Sequence, residues 1–110
     1  MKSVTFHPKA LTFIRKQTPA IKQEIGEALR DVQKGIRLGL PLSRPMPTIA
    51  SGAHELRIRD STMAIRVFYL VAIAETIVVF HGFQKQTQQT PRHEIELGRQ
   101  RLKEVLHGPI

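Results

Sequence analysis

The chain opens on an alternation. Ser3-Val4-Thr5-Phe6 sets polar and apolar residues in turn, the period of a half-buried strand, and His7-Pro8 ends it. Pro8 suits the first turn of a helix that runs to about Gln17. Leu11 and Ile14 share one side of it, and Arg15 and Lys16 face away. Thr18-Pro19 breaks that helix and offers the next one an N-cap and a proline at its first position. From there Ile21, Ile25, Ala28, Leu29 and Val32 recur at helical spacing. Lys22, Glu24, Glu27, Arg30, Asp31 and Lys34 cover the rest of the cylinder, and Gly35 stops it. Two helices joined so closely form a hairpin with one apolar face.

Residues 36 to 53 read as a connection, because Gly39, Pro41, Pro45, Pro47 and Gly52 interrupt regular structure. Leu38, Leu40, Leu42 and Met46 are apolar, so the segment should lie against the body. Three strands follow. His54 to Asp60 alternates, with Leu56 and Ile58 on one face and Glu55, Arg57 and Arg59 on the other. Ser61-Thr62 turns tightly into Met63 to Ala72, which is apolar on both faces except for Arg66. Glu75-Thr76 turns again, and Ile77 to Phe83 is the third strand. Short connections make this an antiparallel meander whose second and third strands are covered on both sides. Gln84 to Thr90 is a polar loop. Thr90-Pro91 then caps a last helix running to about Leu106, with Ile95, Leu102 and Leu106 on one face and Val105 beside them. Arg92, Arg99, Arg101 and Lys103 make its other side basic. The order β, α, α, β, β, β, α predicts an α+β fold, and the first strand could join the later three in a four-stranded sheet.

At 110 residues the chain is one domain, 1–110. It is 41% hydrophobic and 24% charged, which argues for a packed core and against disorder. It has no cysteine, so disulfides, thiolate metal sites and a cysteine nucleophile are excluded. The longest apolar run, Val67 to Ala74, is far short of the roughly 20 residues of a membrane span. Met1 to Lys9 is too polar for a signal-peptide core. The expectation is a soluble, cytoplasmic protein. Charge alone leans towards a function: 17 Lys and Arg stand against 9 Asp and Glu, a net +8. That is either a solubility charge or the mark of a polyanionic partner.

Arg66 is the most informative residue. A guanidinium in a strand buried on both faces must meet a carboxylate or open onto a cleft. Two readings follow: an ion pair with Glu55, Asp60 or Glu75, or a planar phosphate ligand. Arg57 and Arg59 project from the neighbouring strand and could align with it, either as a solvated edge or as a guanidinium row suited to a phosphodiester backbone. Five histidines, His7, His54, His81, His93 and His107, show no metal-ligand spacing, so no metal and no cofactor is expected. His81 reads as a core imidazole. His54, beside Glu55, is a weak candidate proton carrier. Glycine-rich phosphate loops and nucleophile elbows are absent from the sequence.

His54-Glu55-Leu56-Arg57, then Arg66-Val67-Phe68-Tyr69, then Val78 to Lys85 with Thr87-Gln88-Gln89-Thr90-Pro91, Glu94-Ile95 and Arg99 form a set. It resembles the HigB-like, phage-related branch of the RelE/ParE toxin superfamily. The match is carried by residues 54 to 101, and the two N-terminal helices agree in layout. The resemblance implies two N-terminal helices, a twisted antiparallel sheet of three to four strands and a C-terminal helix. It implies the toxin half of a type II toxin–antitoxin pair, a metal-free mRNA endoribonuclease acting on the ribosome. The partner would be a helix-turn-helix, HigA-like antitoxin, through which alone operator DNA is met.

The roles it implies are specific. Arg66 would contact the scissile phosphate, with Arg57 beside it. Lys85, the basic position after the last strand, would protonate the leaving 5′-oxygen, and His54 would be the base. Arg59, Arg99 and Arg101 would bind RNA. Gln86 stands where many relatives have a second lysine, Gly98 where the family often has alanine, and no C-terminal tyrosine is present. Two alternatives remain open on the sequence: a ParE-like toxin that inhibits DNA gyrase by protein binding, and a non-catalytic decayed toxin module.

Overall fold

A computed structural model describes residues 1–72 and 75–108 of the chain. The elements are β1 (Ser3–Phe6), α1 (Pro8–Arg15), α2 (Pro19–Gln33), β2 (Ser43–Pro45), β3 (Ala53–Arg59), β4 (Ala64–Val71), β5 (Thr76–Lys85) and α3 (Arg92–His107). The strands form one sheet in the order β1-β5-β4-β3-β2. The predicted meander is there: β3, β4 and β5 pair antiparallel in sequence order. The sheet is larger and more mixed than the antiparallel three or four strands expected. β1 pairs parallel with β5, across the long stretch of chain that holds α1, α2 and β2 to β4. β2 adds a fifth strand on β3 inside what reads as a Gly/Pro-rich connection. Its three residues end in Pro45, too short for any period to show and tolerated because the strand is an edge.

The local stops and starts follow from side chains. Thr18 caps α2 by accepting from the Ile21 amide at 3.3 Å, as the sequence predicts. His7 caps α1, its Nδ1 accepting from the Lys9 amide at 3.0 Å. Gly35, at φ +90°, closes α2: its own amide donates to Val32 and the Ile36 amide reaches back to Asp31. Between β3 and β4, Asp60 Oδ1 accepts from the amides of Thr62 and Met63, both at 2.8 Å, and builds the turn. Those bonds hold its carboxyl below the usual value. Thr90 departs from its expected role. Pro91 takes the N-cap position of α3 without a side-chain bond, and the Thr90 hydroxyl is spent elsewhere.

The sheet is covered on both faces. The α1–α2 side buries Ile21, Ile25, Leu29 and Val32 against Leu56, Ile58, Ile65, Val67, Ile77 and Val79. The α3 side buries Leu102 against Phe68, Leu70, Val78, Phe80 and Phe83. Ile95 and Val105 are half-buried there, but Leu106 is 48% exposed, so the apolar face of α3 is shorter than the sequence suggests.

One irregularity matters beyond packing. Phe68 pairs with His81 while Tyr69 pairs with Val79, so Phe80 is an extra residue on β5. Phe80 joins the α3-side core, and the next residue, His81, also packs there against the rings of Phe68 and Phe83. Beyond this bulge the alternation is inverted. Phe83 and Lys85 then share a face with Arg66, which strict alternation from Val78 would deny them.

α3 is held by polar contacts as well. His81 Nε2 lies 2.7 Å from Glu94, and its Nδ1 accepts from Arg101 at 2.8 Å. Burial keeps the His81 pKa below its ordinary value, which preserves that acceptor. His7 Nε2 lies 2.7 Å from Glu104 farther along the helix.

Close approach of α3 to the sheet requires Gly98. A Cβ there would stand 2.8 Å from the Phe68 ring, which is fully buried. Gly26 in α2 meets nothing within 4 Å. The two glycines should therefore respond with opposite signs. Gly26→Ala is expected to raise stability by up to about 1 kcal/mol through helix propensity. Gly98→Ala forgoes that gain to overpacking of about 1–3 kcal/mol and lowers it. Urea unfolding midpoints of the two variants measure both; a more stable Gly98→Ala would mean that α3 is free to shift off Phe68.

Candidate functional site

The register of β3 and β4 sets Arg57 opposite Arg66 and Arg59 opposite Ala64. The register of β4 and β5 sets Ala64 opposite Lys85. Side chains at these positions project to the α3 side of the sheet, beyond the end of the helix. They open onto a cleft of about 510 Å³ lined by Arg57, Arg59, Ala64, Arg66 and Lys85, with Gln86, Thr87 and Gln88 along its rim. Like charges directly opposite on paired strands are unfavourable, so this concentration is not what sheet stability selects.

Below the cleft lies one carboxylate. Glu55 is 0% exposed and accepts from Arg44 Nε at 2.9 Å and from the Thr90 hydroxyl at 2.6 Å. Arg44 also donates to Thr90 Oγ1 at 3.1 Å. The clamp fastens edge strand β2 and the end of the Gln-rich loop onto β3. Arg66 Nε stands 3.8 Å from Glu55 Oε1: close enough to feel its charge, too long for a hydrogen bond. Arg66 therefore meets half of each sequence reading. It has Glu55 as a counter-charge, yet its buried Nε, like that of Arg57, has no hydrogen-bond acceptor among the described residues. Of its other nitrogens, Nη1 donates to the Ile65 carbonyl at 3.2 Å. Asp60 is engaged in its own turn.

The predicted site residues divide. Arg66, Arg57, Arg59 and Lys85 come together in the cleft. Lys85 is the last residue of β5 and does not lie beyond it, because the strand is two residues longer than its apolar pattern. His54 does not join them. It pairs with Tyr69 on β4, stacks on that ring at 5.3 Å, and so lies on the opposite face of the sheet. Its Nδ1 is 3.1 Å from the Gly52 carbonyl. Alternation alone requires this, since the residue before Glu55 faces away from it. Arg99 and Arg101 also stand apart. Arg99 donates to the Thr48 carbonyl, and Arg101 bonds His81 at the underside of α3. Sequence reasoning assigns Arg44 and Thr90 no part in the site: the first sits in an unrecognised strand, and the second, though within the Thr-Pro motif, reads as a helix cap.

A family model of phage-derived proteins similar to Gp49 matches residues 12–103. The chain belongs to the phage-derived Gp49-like family. No curated protein matches it. Among solved structures, a free-state mutant of the E. coli toxin RelE is similar, with a TM-score of 0.62 over 96% of this chain and 98% of that one, at 19% identity. This Gp49-like protein thus has the RelE fold: α+β, with the two N-terminal helices and the C-terminal helix expected, on a five-stranded mixed sheet. No helix among its described residues is long and apolar enough to cross a membrane. No three His, Asp or Glu side chains among those residues gather as metal ligands.

The electrostatics of the Gp49-like cleft are those of an unsatisfied cation cluster. Burial, and then the neighbouring Arg57, Arg44 and Arg59, lower the pKa of Arg66, with Glu55 opposing them. Lys85 is pulled below 10.5 by burial and next by Arg66. A dianion bound in the cleft would relieve this repulsion. Inorganic phosphate should therefore raise Tm more than chloride does at equal ionic strength, by mass action on the folded state. The increment should shrink in Arg66→Met. Equal increments in both proteins would reduce the effect to general salting.

Proposed function

We propose that this Gp49-like protein is the toxin of a type II toxin–antitoxin pair and acts as an endoribonuclease on mRNA at the ribosome, restrained by a cognate antitoxin. The observation that carries the reading is the convergence of three arginines and a lysine on an open cleft, with the buried Glu55 beneath it already hydrogen-bonded. A phosphodiester is the ligand that a cluster of planar guanidinium groups suits best. The cleft's size and openness suit a single strand, and its rim of Gln86, Thr87 and Gln88 offers amides and a hydroxyl to base edges. The RelE fold of the chain and its +8 charge agree with this reading.

The reaction is transesterification. The ribose 2′-oxygen attacks the adjacent phosphorus as its proton passes to a solvent water, and the bond from phosphorus to the 5′-oxygen breaks. The products are a 2′,3′-cyclic phosphate and a 5′-hydroxyl. Arg66 and Arg57 stabilise the charge that builds on the phosphoryl oxygens. Lys85 donates the proton that the departing 5′-oxygen needs. Its lowered pKa makes it a better donor than an ordinary ammonium.

Induction of the chain in cells lacking its antitoxin, followed by sequencing of RNA 5′ ends, tests the reading. New 5′-hydroxyl ends inside translated frames are expected, and Arg66→Ala should lose them together with growth arrest. Growth arrest with intact mRNA would overturn the nuclease assignment in favour of a protein target. The role of Lys85 has its own signature. With protonated Lys85 as the donor, the cleavage rate should fall on the alkaline side with a midpoint below 10.5. Lys85→Arg should be slower and lose that limb, since a guanidinium stays protonated there. An unchanged pH profile in Lys85→Arg would remove Lys85 from the proton path.

A further inference from the structure

A groove of about 810 Å³ lies on the other side of the sheet from the arginine cleft, the side that His54 and Tyr69 face. Its chemistry is opposite. Val32, Leu38 and Val71 give it apolar walls, and Tyr69 with the stacked His54 ring closes one end. Ile36 and Leu40 stand at its edge, 49% and 69% exposed. Together with the apolar walls they make one contiguous apolar surface rather than scattered exposed side chains. Lys2 and Arg37 are its charged lining residues, and among the described residues no carboxylate lines it. In the adjoining hollow, which shares Lys2, Lys34 adds another cation and Glu75 is the one acid. Gly35 and Gly39, each with nothing within 4 Å of a built Cβ, leave the backbone of this wall open to close approach.

We propose that this groove docks an acidic, apolar-rich segment of a partner protein. The apolar walls take its aliphatic side chains, and Lys2 and Arg37 take its carboxylates. Charge complementarity decides among the occupants. A second copy of this chain would bring +8 onto +8 and set the same cationic rim against itself. RNA would use the cations but leave Ile36 and Leu40 in water. An acidic amphipathic segment satisfies both parts of the surface, and the groove is concave as such sites are. A partner seated here leaves the arginine cleft on the opposite face uncovered. Naming that partner as the antitoxin rests on the toxin reading; the docking surface does not.

The test uses the full chain and fluorescence anisotropy with a labelled synthetic peptide of leucine, valine and glutamate. A twin peptide with lysine in place of glutamate is the control. The glutamate peptide should bind and its twin should not. Leu40→Asp and Ile36→Asp should each weaken binding roughly tenfold or more, the loss expected when a large aliphatic contact is replaced by a like charge. Both side chains are exposed, so the variants should retain the parent's thermal melt. Arg37→Glu tests the rim without touching the apolar wall and should weaken binding as well. Arg66→Ala should bind the peptide as the parent does, which separates failure of the docking surface from failure of the nuclease reading. Equal binding by Leu40→Asp, equal binding of the lysine twin, or no binding would overturn the proposal. So would a self-association by sedimentation that Leu40→Asp abolishes, which would give the groove to a second copy. Co-sedimentation with anionic phosphatidylserine vesicles, lost in Leu40→Asp, would give it to a lipid surface.

Discussion

Glu55 takes hydrogen bonds from Arg44 and Thr90, stands 3.8 Å from Arg66, and is shut off from solvent. A carboxylate so placed is costly to desolvate, and removing its partners would be costlier still, of order 3–5 kcal/mol for a broken buried pair. The elements around it are therefore tied to one another. β2 must reach β3 for Arg44 to arrive. The Gln-rich loop must fold back for Thr90 to arrive. Arg66 is tolerated in the middle of a covered sheet because Glu55 is beneath it. The cleft is the other side of this arrangement: one anion is divided among more cations than it can satisfy, and the surplus faces outward.

That surplus works against the stability of the sheet. Strand pairing opposes Arg57 and Arg66, which a sheet built only for stability would avoid. The cost is met by the two apolar layers that enclose β4 and β5. The scaffold under the cleft is thus strongly packed while its surface is electrostatically strained. α3 leaves this end of the sheet open, and its own anchoring by His7, His81 and Gly98 lies farther along.

The two faces of the molecule divide the chemistry. The α3 side carries cations and amides around a hydrophilic cleft, and the α1–α2 side carries a groove with aliphatic walls. The alternation of β3 is the reason they are distinct. Glu55, Arg57 and Arg59 go one way and His54 the other, so neighbours in sequence serve different surfaces.

Sequence by itself determined the helices, the meander, the covered central strands and the arginine cluster. Each rests on a local period or on the cost of burying a charge, and both act through neighbouring residues. The helix cap at Thr18 and the stop at Gly35 belong to the same class. Tertiary structure alone decided the rest. β2 has no period, and exists because β3 offers it a partner. Thr90 has the sequence context of a cap, but a buried carboxylate competes for its hydroxyl and wins. Arg101 looks like a surface base until His81 is packed beneath it. Lys85 reaches the cleft only because Phe80 bulges, and a bulge is set by how two strands and a helix pack together, which no single stretch of sequence contains.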